Sequence, residues 1–268
     1  MSEAPGHHGG SAAAACGAPS GAARAAAPPV DAAPEGWLTD AQAARLRARA
    51  AAAGTATIVE IGSFRGRSTV VLAGAAAPGA SVVAIDPHAG SDRGPQEIGA
   101  DSVRGDADHE AFIANLAAAG VSDRVRHVRK MSADALGEVD GPLAMLYVDG
   151  AHRFAPARDD IARWGALLAP GGTMLVHDAF SSIGVTGALL AECVGRGGWR
   201  YAGRTGSLAE YERLAAPLSR AARARDAARQ LAQLPWFARN VLFKLLVLAR
   251  LRPLAHRLGL PAGMHWPY

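Results

Sequence analysis

The stretch TATIVEIGSFRGRSTVVLA, residues 55–73, followed by VVAIDPH, residues 82–88, decides the fold of this chain. Apolar and β-branched residues lead into glycines, and a helix-forming run headed by Ser68 and Thr69 comes next. A second apolar run then ends at Asp86. This order predicts a strand, a helix and a second strand, which is the layout of a nucleotide-binding unit.

The glycines of this stretch follow the spacing E-x-G-x-x-x-G, formed by Glu60, Gly62 and Gly66. The spacing differs from the G-x-G-x-x-G that cradles the pyrophosphate of a dinucleotide. Gly62 and Gly66 let a ligand approach the backbone closely, because glycine has no Cβ. The stretch resembles the opening motif of class I S-adenosylmethionine-dependent methyltransferases. That resemblance implies S-adenosylmethionine as the cofactor.

Cofactor contacts are expected at the ends of the first strands. Glu60 is expected to anchor the ammonium end of the cofactor through water or the loop backbone. Asp86, at the end of the second strand, can accept hydrogen bonds from both ribose hydroxyls. The complete set of expected cofactor-binding residues is Glu60, Gly62, Ser63, Gly66, Ser68, Asp86, Ser132 and Asp149.

A second group of polar residues lies in LYVDGAHRF and LVHDAF. Asp149 and His152 follow the predicted fourth strand, and His177 and Asp178 end the fifth. Ligands of open α/β sheets bind beyond the carboxyl ends of the strands, so we expect these residues to meet. Two uses stay open: Asp149 and Asp178 could hold a divalent cation, or His152 could act as a general base. Asp159 and Asp160, in the next helix, are expected to be solvated or to cap an Arg.

The pattern DG-x-H, then a helix, then GG-x-x-x-x-HD resembles small-molecule O-methyltransferases that act on sugars, macrolide glycosides and related metabolites. The resemblance implies Mg²⁺ ligands at Asp149 and Asp178 and catalytic roles for His152 and Asp149. The sequence departs at His177, where related metal-dependent enzymes carry an acid. Imidazole suits Mg²⁺ poorly compared with carboxylate.

The order of apolar segments predicts the architecture. Strands are expected near 57–61, 81–86, 125–128, 143–150 and 173–178, followed by a hairpin joined at Thr205-Gly206. Helices are expected near 37–53, 66–76, 107–119, 154–168 and 183–194, with Thr39 or Asp40 capping the first and Asp106 the third. Together they predict a doubly wound, Rossmann-like α/β fold. Its mostly parallel seven-stranded sheet ends in an antiparallel hairpin and precedes a C-terminal helical extension.

Composition divides the 268 residues into three segments. Residues 1–35 form an Ala/Gly/Pro-rich tail that we expect to be disordered, and 36–213 form the expected methyltransferase domain. Residues 214–268 form a basic amphipathic helical extension. The two cysteines lie far apart in sequence, and no signal peptide is recognised, so a reducing cytoplasm is the expected compartment.

Charge is concentrated at the C-terminal end. Residues 213–268 contain ten Lys or Arg and one acid, a net +9, whereas the whole chain carries +4, so the remainder carries −5. A basic tail is weak evidence for nucleic-acid binding, and no nucleic-acid partner is expected. The apolar helix near 236–252 is too short to span a bilayer. A peripheral membrane contact and a homo-oligomer contact through residues 234–258 both stay open.

The sequence thus favours transfer of a methyl group from S-adenosylmethionine to a hydroxyl of a small-molecule acceptor, namely a metabolite, sugar or glycoside. One alternative is a non-catalytic cofactor-binding scaffold or membrane-surface protein that works through its basic C-terminal helices. A nicotinamide-dependent oxidoreductase is disfavoured, because G-x-G-x-x-G is incomplete.

Overall fold

The computed structural model describes residues 34, 36–91, 99–251, 253 and 257. The predicted tail 1–35 therefore lies almost wholly outside the described residues, as does the middle of the loop 87–106. The proposed domain boundaries stay predictions.

Strands and helices alternate along the described part of the chain. The strands are β1 Thr57–Ile61, β2 Val82–Ile85, β3 Val125–Val128, β4 Leu143–Val148, β5 Leu168–Val176, β6 Trp199–Thr205 and β7 Leu208–Arg213. The helices are α1 Asp40–Ala52, α2 Arg67–Ala75, α3 Ser102–Ala118, α4 Phe154–Gly165, α5 Ile183–Leu189, α6 Arg220–Leu231 and α7 Leu234–Leu248. A π-helical turn, Leu190–Arg196, continues α5.

The strands form one seven-stranded sheet in the order β3-β2-β1-β4-β5-β7-β6. Strands β1 to β5 are parallel, and β7 runs antiparallel to both β5 and β6. The order turns back between β1 and β4, which opens a crevice at the carboxyl edge of the sheet. The predicted Rossmann-like fold with a terminal hairpin is confirmed.

Apolar layers cover both faces of the sheet. Leu46, Leu72 and Phe112 belong to the buried cluster under α1, α2 and α3. On the opposite face, Ile161 and Trp164 of α4 belong to a second buried cluster. Because the parallel strands are covered on both faces, they read as continuous apolar runs rather than alternating ones.

The start of α3 differs from the sequence prediction. The helix begins at Ser102 rather than near 107, and its cap is Asp101, whose side chain accepts a hydrogen bond from the Arg104 amide at 3.1 Å. Gly105 lies against the His88 carbonyl, where a Cβ would come within 2.0 Å of the oxygen. The first turn of α3 thus packs on the loop after β2. This turn was not predicted, because its residues are mostly polar and show no apolar periodicity.

Strand β5 also begins earlier than predicted. It starts at Leu168 rather than near 173, and Pro170, Gly171 and Gly172 form an irregularity inside the strand. The pairing with β4 jumps from Leu143↔Leu168 to Met145↔Thr173. The extra residues are accommodated as a bulge, a feature that Pro and Gly often mark within strands.

The C-terminal helices are attached to the hairpin. The Asp226 carboxylate in α6 accepts a hydrogen bond from the Tyr201 amide at 3.0 Å, and the Tyr211 hydroxyl donates to Gln230 at 3.2 Å. Within the described residues, the helical stretch Arg220–Leu248 is long and apolar enough, by length and composition alone, to cross a membrane.

Candidate active site

A cavity lies at the carboxyl edge of the sheet, where β1, β2, β4 and β5 end. Its lining includes Gly62, Phe64, Asp86, His88, Ser132, Asp149, His152, Asp160, His177 and Asp178. The fold therefore brings together the predicted cofactor residues Gly62, Asp86, Ser132 and Asp149 with the predicted catalytic residue His152.

Gly62 is required by the close approach of two strands. Its φ is +85°, and a Cβ at this position would lie 2.2 Å from the Asp149 carbonyl oxygen. Any side chain would therefore push the loop after β1 away from the loop after β4. The glycine sets the floor of the cavity.

Asp86 ties the loops after β1 and β2 together. Its Oδ2 accepts a hydrogen bond from the Phe64 amide at 2.8 Å, and its Oδ1 accepts one from the His88 amide at 2.7 Å. Both donors belong to residues with positive φ, 45° at Phe64 and 46° at His88. Such conformations cost of order 1–3 kcal/mol each and cluster at functional sites. The carboxylate thus holds two strained loops against the cavity.

Glu60 is not among the residues that line the cavity. It is fully buried, and its carboxylate accepts hydrogen bonds from the Ser68 and Thr69 hydroxyls. Burial raises the pKa of Glu60 to about 8, against the opposing effect of these two hydrogen bonds. Glu60 therefore joins β1 to the first turn of α2 from behind the loop. Of its expected roles, only a contact made through the loop backbone suits this placement.

Three other predicted cofactor residues also lie behind the cavity wall. Ser63 is 2% exposed, and Ser68 is occupied by Glu60. Gly66 faces Phe112, which a Cβ would approach to 3.1 Å. These residues shape the turn that supports the cavity, and their direct contact with a cofactor stays a prediction.

Four side chains meet where β4 and β5 end. Nε2 of His152 lies 2.7 Å from Oδ2 of Asp178. Nδ1 of His177 lies 3.1 Å from Oδ1 of Asp149 and 3.5 Å from Oδ2 of Asp178. The Tyr147 hydroxyl donates to Oδ2 of Asp149 at 2.7 Å. Two carboxylates and two imidazoles thus form one network.

Electrostatics raises the pKa of both imidazoles in this network, which makes each a stronger base, and lowers the pKa of Asp178. Burial alone would lower the pKa of His177, but the Asp149 and Asp178 carboxylates raise it well above its usual range. For His152, the hydrogen bond to Asp178 likewise outweighs burial, so its pKa is raised. Burial would raise the pKa of Asp178, but the two imidazoles hold it far below its usual range.

The backbone after β5 is strained in the same way as the loops after β1 and β2. Asp178 has φ +55° and Phe180 has φ +56°. The Asp178 carbonyl accepts hydrogen bonds from the Ser181 and Ser182 amides at 3.1 and 2.8 Å, which close a tight turn. The turn fixes the direction in which the Asp178 carboxylate faces His152.

The side chains at the ends of β4 and β5 match the predicted Mg²⁺ site in spacing but not in the contacts they already make. Asp149, His152 and Asp178 each bring one ligand atom within 4.8 Å of the others, which satisfies the spacing of a metal site. However, the Asp149 oxygens already contact His177 and Tyr147, and Oδ2 of Asp178 contacts both imidazoles. Mg²⁺ demands near-octahedral oxygen coordination, and the two imidazoles compete with it for the carboxylates. These residues do not fit Mg²⁺, and the Mg²⁺ prediction gains no support.

Asp160 was missed by the sequence analysis. It is 5% exposed and lines the cavity, so the interpretation as a solvated residue is wrong. Burial raises the pKa of Asp160 to about 6, against a hydrogen bond with Ser132. The helical periodicity could have predicted this burial, because Asp160 shares the buried helical face of Ala157, Ile161 and Trp164.

The central part of the chain is similar to known proteins. Residues 59–179 match a family model described as a methyltransferase domain. The solved O-methyltransferase NovP superposes with a TM-score of 0.54 at 17% identity, over 65% of this chain and 80% of that one. A protein from Corynebacterium glutamicum gives 0.52 at 15% identity, over 69% and 85%. The O-methyltransferase TomG from Streptomyces achromogenes, solved in complex with S-adenosylmethionine, gives 0.48 at 22% identity, over 66% and 82%.

The family match covers the strands β1 to β5, up to the turn after β5. It therefore includes the cavity residues from Gly62 to Asp178. Residues 59–179 are thus similar in sequence to a methyltransferase domain, and the fold is similar to that of the O-methyltransferase NovP.

Proposed function

We propose that this protein transfers a methyl group from S-adenosylmethionine to a hydroxyl oxygen of a small metabolite, sugar or glycoside. The observation that carries the proposal is the His152–Asp178 pair, whose Nε2 and Oδ2 atoms lie 2.7 Å apart at the cavity wall. A histidine that is oriented by a carboxylate is a general base suited to a hydroxyl proton.

The cavity has a cofactor side and an acceptor side. Strand β1 lies between β2 and β4, so Asp86 and the His152–Asp178 pair stand on opposite sides of Gly62. Asp86 offers a carboxylate to the ribose hydroxyls, and Gly62 keeps the floor open to the cofactor. The methyl group then points toward the ends of β4 and β5, where the acceptor hydroxyl meets His152.

The chemical step balances without a further reactant. The acceptor oxygen attacks the sulfonium methyl carbon in line, and a C–O bond forms as the C–S bond breaks. S-adenosylhomocysteine leaves as a neutral thioether, and the hydroxyl proton passes to His152. Asp178, whose Oδ2 lies 2.7 Å from Nε2 of His152, stabilises the imidazolium that forms.

His177 and Tyr147 are positioning residues. His177 spans Asp149 and Asp178, while Tyr147 donates to the second oxygen of Asp149. A network in which each member restrains the next keeps the catalytic pair in one geometry. That NovP is an O-methyltransferase supports oxygen as the acceptor atom.

A non-catalytic scaffold is the alternative. It would need the cofactor cavity alone and gives no reason for the charged network beside it. Burying two carboxylates and two imidazoles is costly unless they are paired, so this cluster favours catalysis.

A labelled-methyl screen tests the proposal. The full chain is incubated with S-adenosylmethionine carrying a deuterated methyl group and a panel of glycosides and phenols. We expect mass spectrometry to find the label on an acceptor oxygen, with equimolar S-adenosylhomocysteine. Label on nitrogen or carbon only would contradict the proposal. Tight cofactor binding without any S-adenosylhomocysteine release would favour the scaffold.

A further inference from the structure

Helix α7 carries an exposed apolar stripe. Leu242, Leu245 and Leu248 are 48%, 57% and 70% exposed, and Leu251, just after the helix, is 47% exposed. The beginning of the helix contacts the domain, because Trp236 and Phe237 pack against the buried cluster that includes Ile161 and Trp164. The stripe is therefore not a badly packed core face but a second, outward-facing apolar surface.

Helix α7 is fixed to the edge of the active site. The Asn240 amide donates to the Phe180 carbonyl at 3.2 Å, and Lys244 Nζ donates to the Ser181 carbonyl at 2.9 Å. Phe180 and Ser181 lie two and three residues after Asp178. The outward leucines thus lie on the side of the molecule where β5 ends.

These attachments argue against a membrane-spanning role. The 15 residues of α7 extend about 22 Å, less than the roughly 30 Å of a hydrocarbon core. The longer apolar stretch Arg220–Leu248 includes α6, which Asp226 and Gln230 fasten to the hairpin. Because the domain holds both helices, we expect α7 to lie along a membrane surface rather than to cross the bilayer.

Exposed arginines accompany the stripe on the C-terminal helices. Arg239 and Arg250 are exposed on α7 and just beyond it, and Arg220 and Arg225 are exposed on α6. The segment 213–268 carries a net +9. An apolar stripe accompanied by exposed Arg matches a surface whose anionic groups stand above an apolar layer.

We propose that α7 docks this protein peripherally on an anionic lipid bilayer. The leucines Leu242, Leu245 and Leu248 enter the boundary between headgroups and acyl chains, while Arg239 and Arg250 meet lipid phosphates. A second copy of the chain is the weaker occupant. A two-fold contact pairs the same patch on both subunits, which would bring the arginine-flanked surfaces together. Docking of this kind does not require methyl transfer.

Apolar residues near the cavity extend the proposed contact. Ile183 begins α5 two residues after Ser181 and is 68% exposed, and Phe154 begins α4 and is 48% exposed. The Ser182 hydroxyl donates to the His152 carbonyl at 3.2 Å, which ties this part of the surface to the active site. Docking through α7 would therefore hold the acceptor side of the cavity close to the lipid.

Vesicle co-sedimentation of the full chain tests the proposal. Vesicles of phosphatidylcholine alone are compared with vesicles in which a quarter of the lipid is phosphatidylglycerol. We expect binding to the anionic vesicles, weakened by salt. The double change Leu242→Glu with Leu245→Glu should lower the partition coefficient more than tenfold. Arg239→Gln and Arg250→Gln should each lower it about fivefold.

Val103→Glu is the matched control, because Val103 is 80% exposed on α3 and should leave binding unchanged. Thermal melting and S-adenosylmethionine titration of each variant confirm that the domain is intact. No sedimentation with anionic vesicles would overturn the proposal, as would equal losses in the control. The stripe would instead be a contact with a second copy if the wild type did not bind vesicles, was a dimer by ultracentrifugation, and became monomeric after the leucine changes.

Discussion

Oδ2 of Asp178 lies 2.7 Å from Nε2 of His152 and 3.5 Å from Nδ1 of His177. One buried carboxylate oxygen thus orients His152, the proposed base, and also contacts the neighbouring imidazole of His177. Because this oxygen contacts both imidazoles, the two rings cannot be displaced independently. The residues of the proposed acceptor side therefore act as a unit.

Asp178→Asn is expected to lower kcat about 100-fold or more, because the proposed base loses its orienting charge. The Kd for S-adenosylmethionine should change little, since Asp178 lies on the acceptor side of the cavity. Combining it with His152→Gln should cost little more than either change alone, since the residues act together. Asp123→Asn, at an exposed position, serves as the control. If the losses in kcat from the two single changes added fully in the double variant, His152 and Asp178 would not act as a pair.

Turnover is expected to persist in excess EDTA, and added Mg²⁺ should change kcat less than twofold. The reason is that His177 occupies the space between the Asp149 and Asp178 carboxylates. Steady-state kinetics of chelator-treated protein, with metal content measured by mass spectrometry, checks this. Complete loss of activity, restored by Mg²⁺ alone, would show that the side chains rearrange around a cation.

Asp86→Ala is expected to weaken S-adenosylmethionine binding about 10- to 100-fold, the range for losing hydrogen bonds to a charged group. The change also frees the Phe64 and His88 amides that Asp86 now holds. Calorimetric titration measures the Kd, and kcat at saturating cofactor should fall much less. The Kd of Asp86→Asn, which retains one acceptor oxygen, should lie between those of the wild type and Asp86→Ala. An unchanged Kd in Asp86→Ala would place the ribose elsewhere.

Glu60→Gln is expected to alter how stability depends on pH. The folded pKa of about 8 lies above the ordinary 4.5, so the folded protein holds a proton that the unfolded chain releases between these values. This contribution is complete below pH 4.5 and is lost as pH rises through 8, at about 1.4 kcal/mol per pH unit. Glutamine has no such proton to lose.

Denaturant unfolding without cofactor, from pH 5 to pH 8.5, should therefore show wild-type stability falling relative to Glu60→Gln. Glu110→Gln, at an exposed position on α3, should follow the wild type. Parallel curves for all three proteins would show that Glu60 is ionised in the folded state, in disagreement with its burial beneath Ser68 and Thr69.

Local patterns predicted much of this molecule. The bounds of β1 and β3 were predicted to the residue, and Thr39 caps α1 through a reciprocal contact with Gln42. Asp149 and His152 could be placed at the site because the carboxyl ends of parallel strands share one edge. Such features depend on residue type and spacing alone, and both are visible in a sequence.

Features that depend on contacts distant in sequence were missed. Glu60 faces away from the cavity because Ser68 and Thr69 hold it, and no spacing rule states the side to which a strand-end carboxylate turns. The early start of α3 depends on Gly105 packing against His88. The contact of His177 with two carboxylates could not be predicted, because it depends on the register between β4 and β5. The bulge in β5 sets that register.

The most direct test is single-turnover transfer of a labelled methyl group to an acceptor hydroxyl, compared between wild type and His152→Gln. Both proteins are first loaded with S-adenosylmethionine, and the Kd of each is measured by calorimetry. We expect equal cofactor affinity and a rate of oxygen methylation at least 100-fold lower in the variant. Equal transfer rates would contradict His152 as the base, and methylation at a site other than oxygen would contradict the proposed reaction.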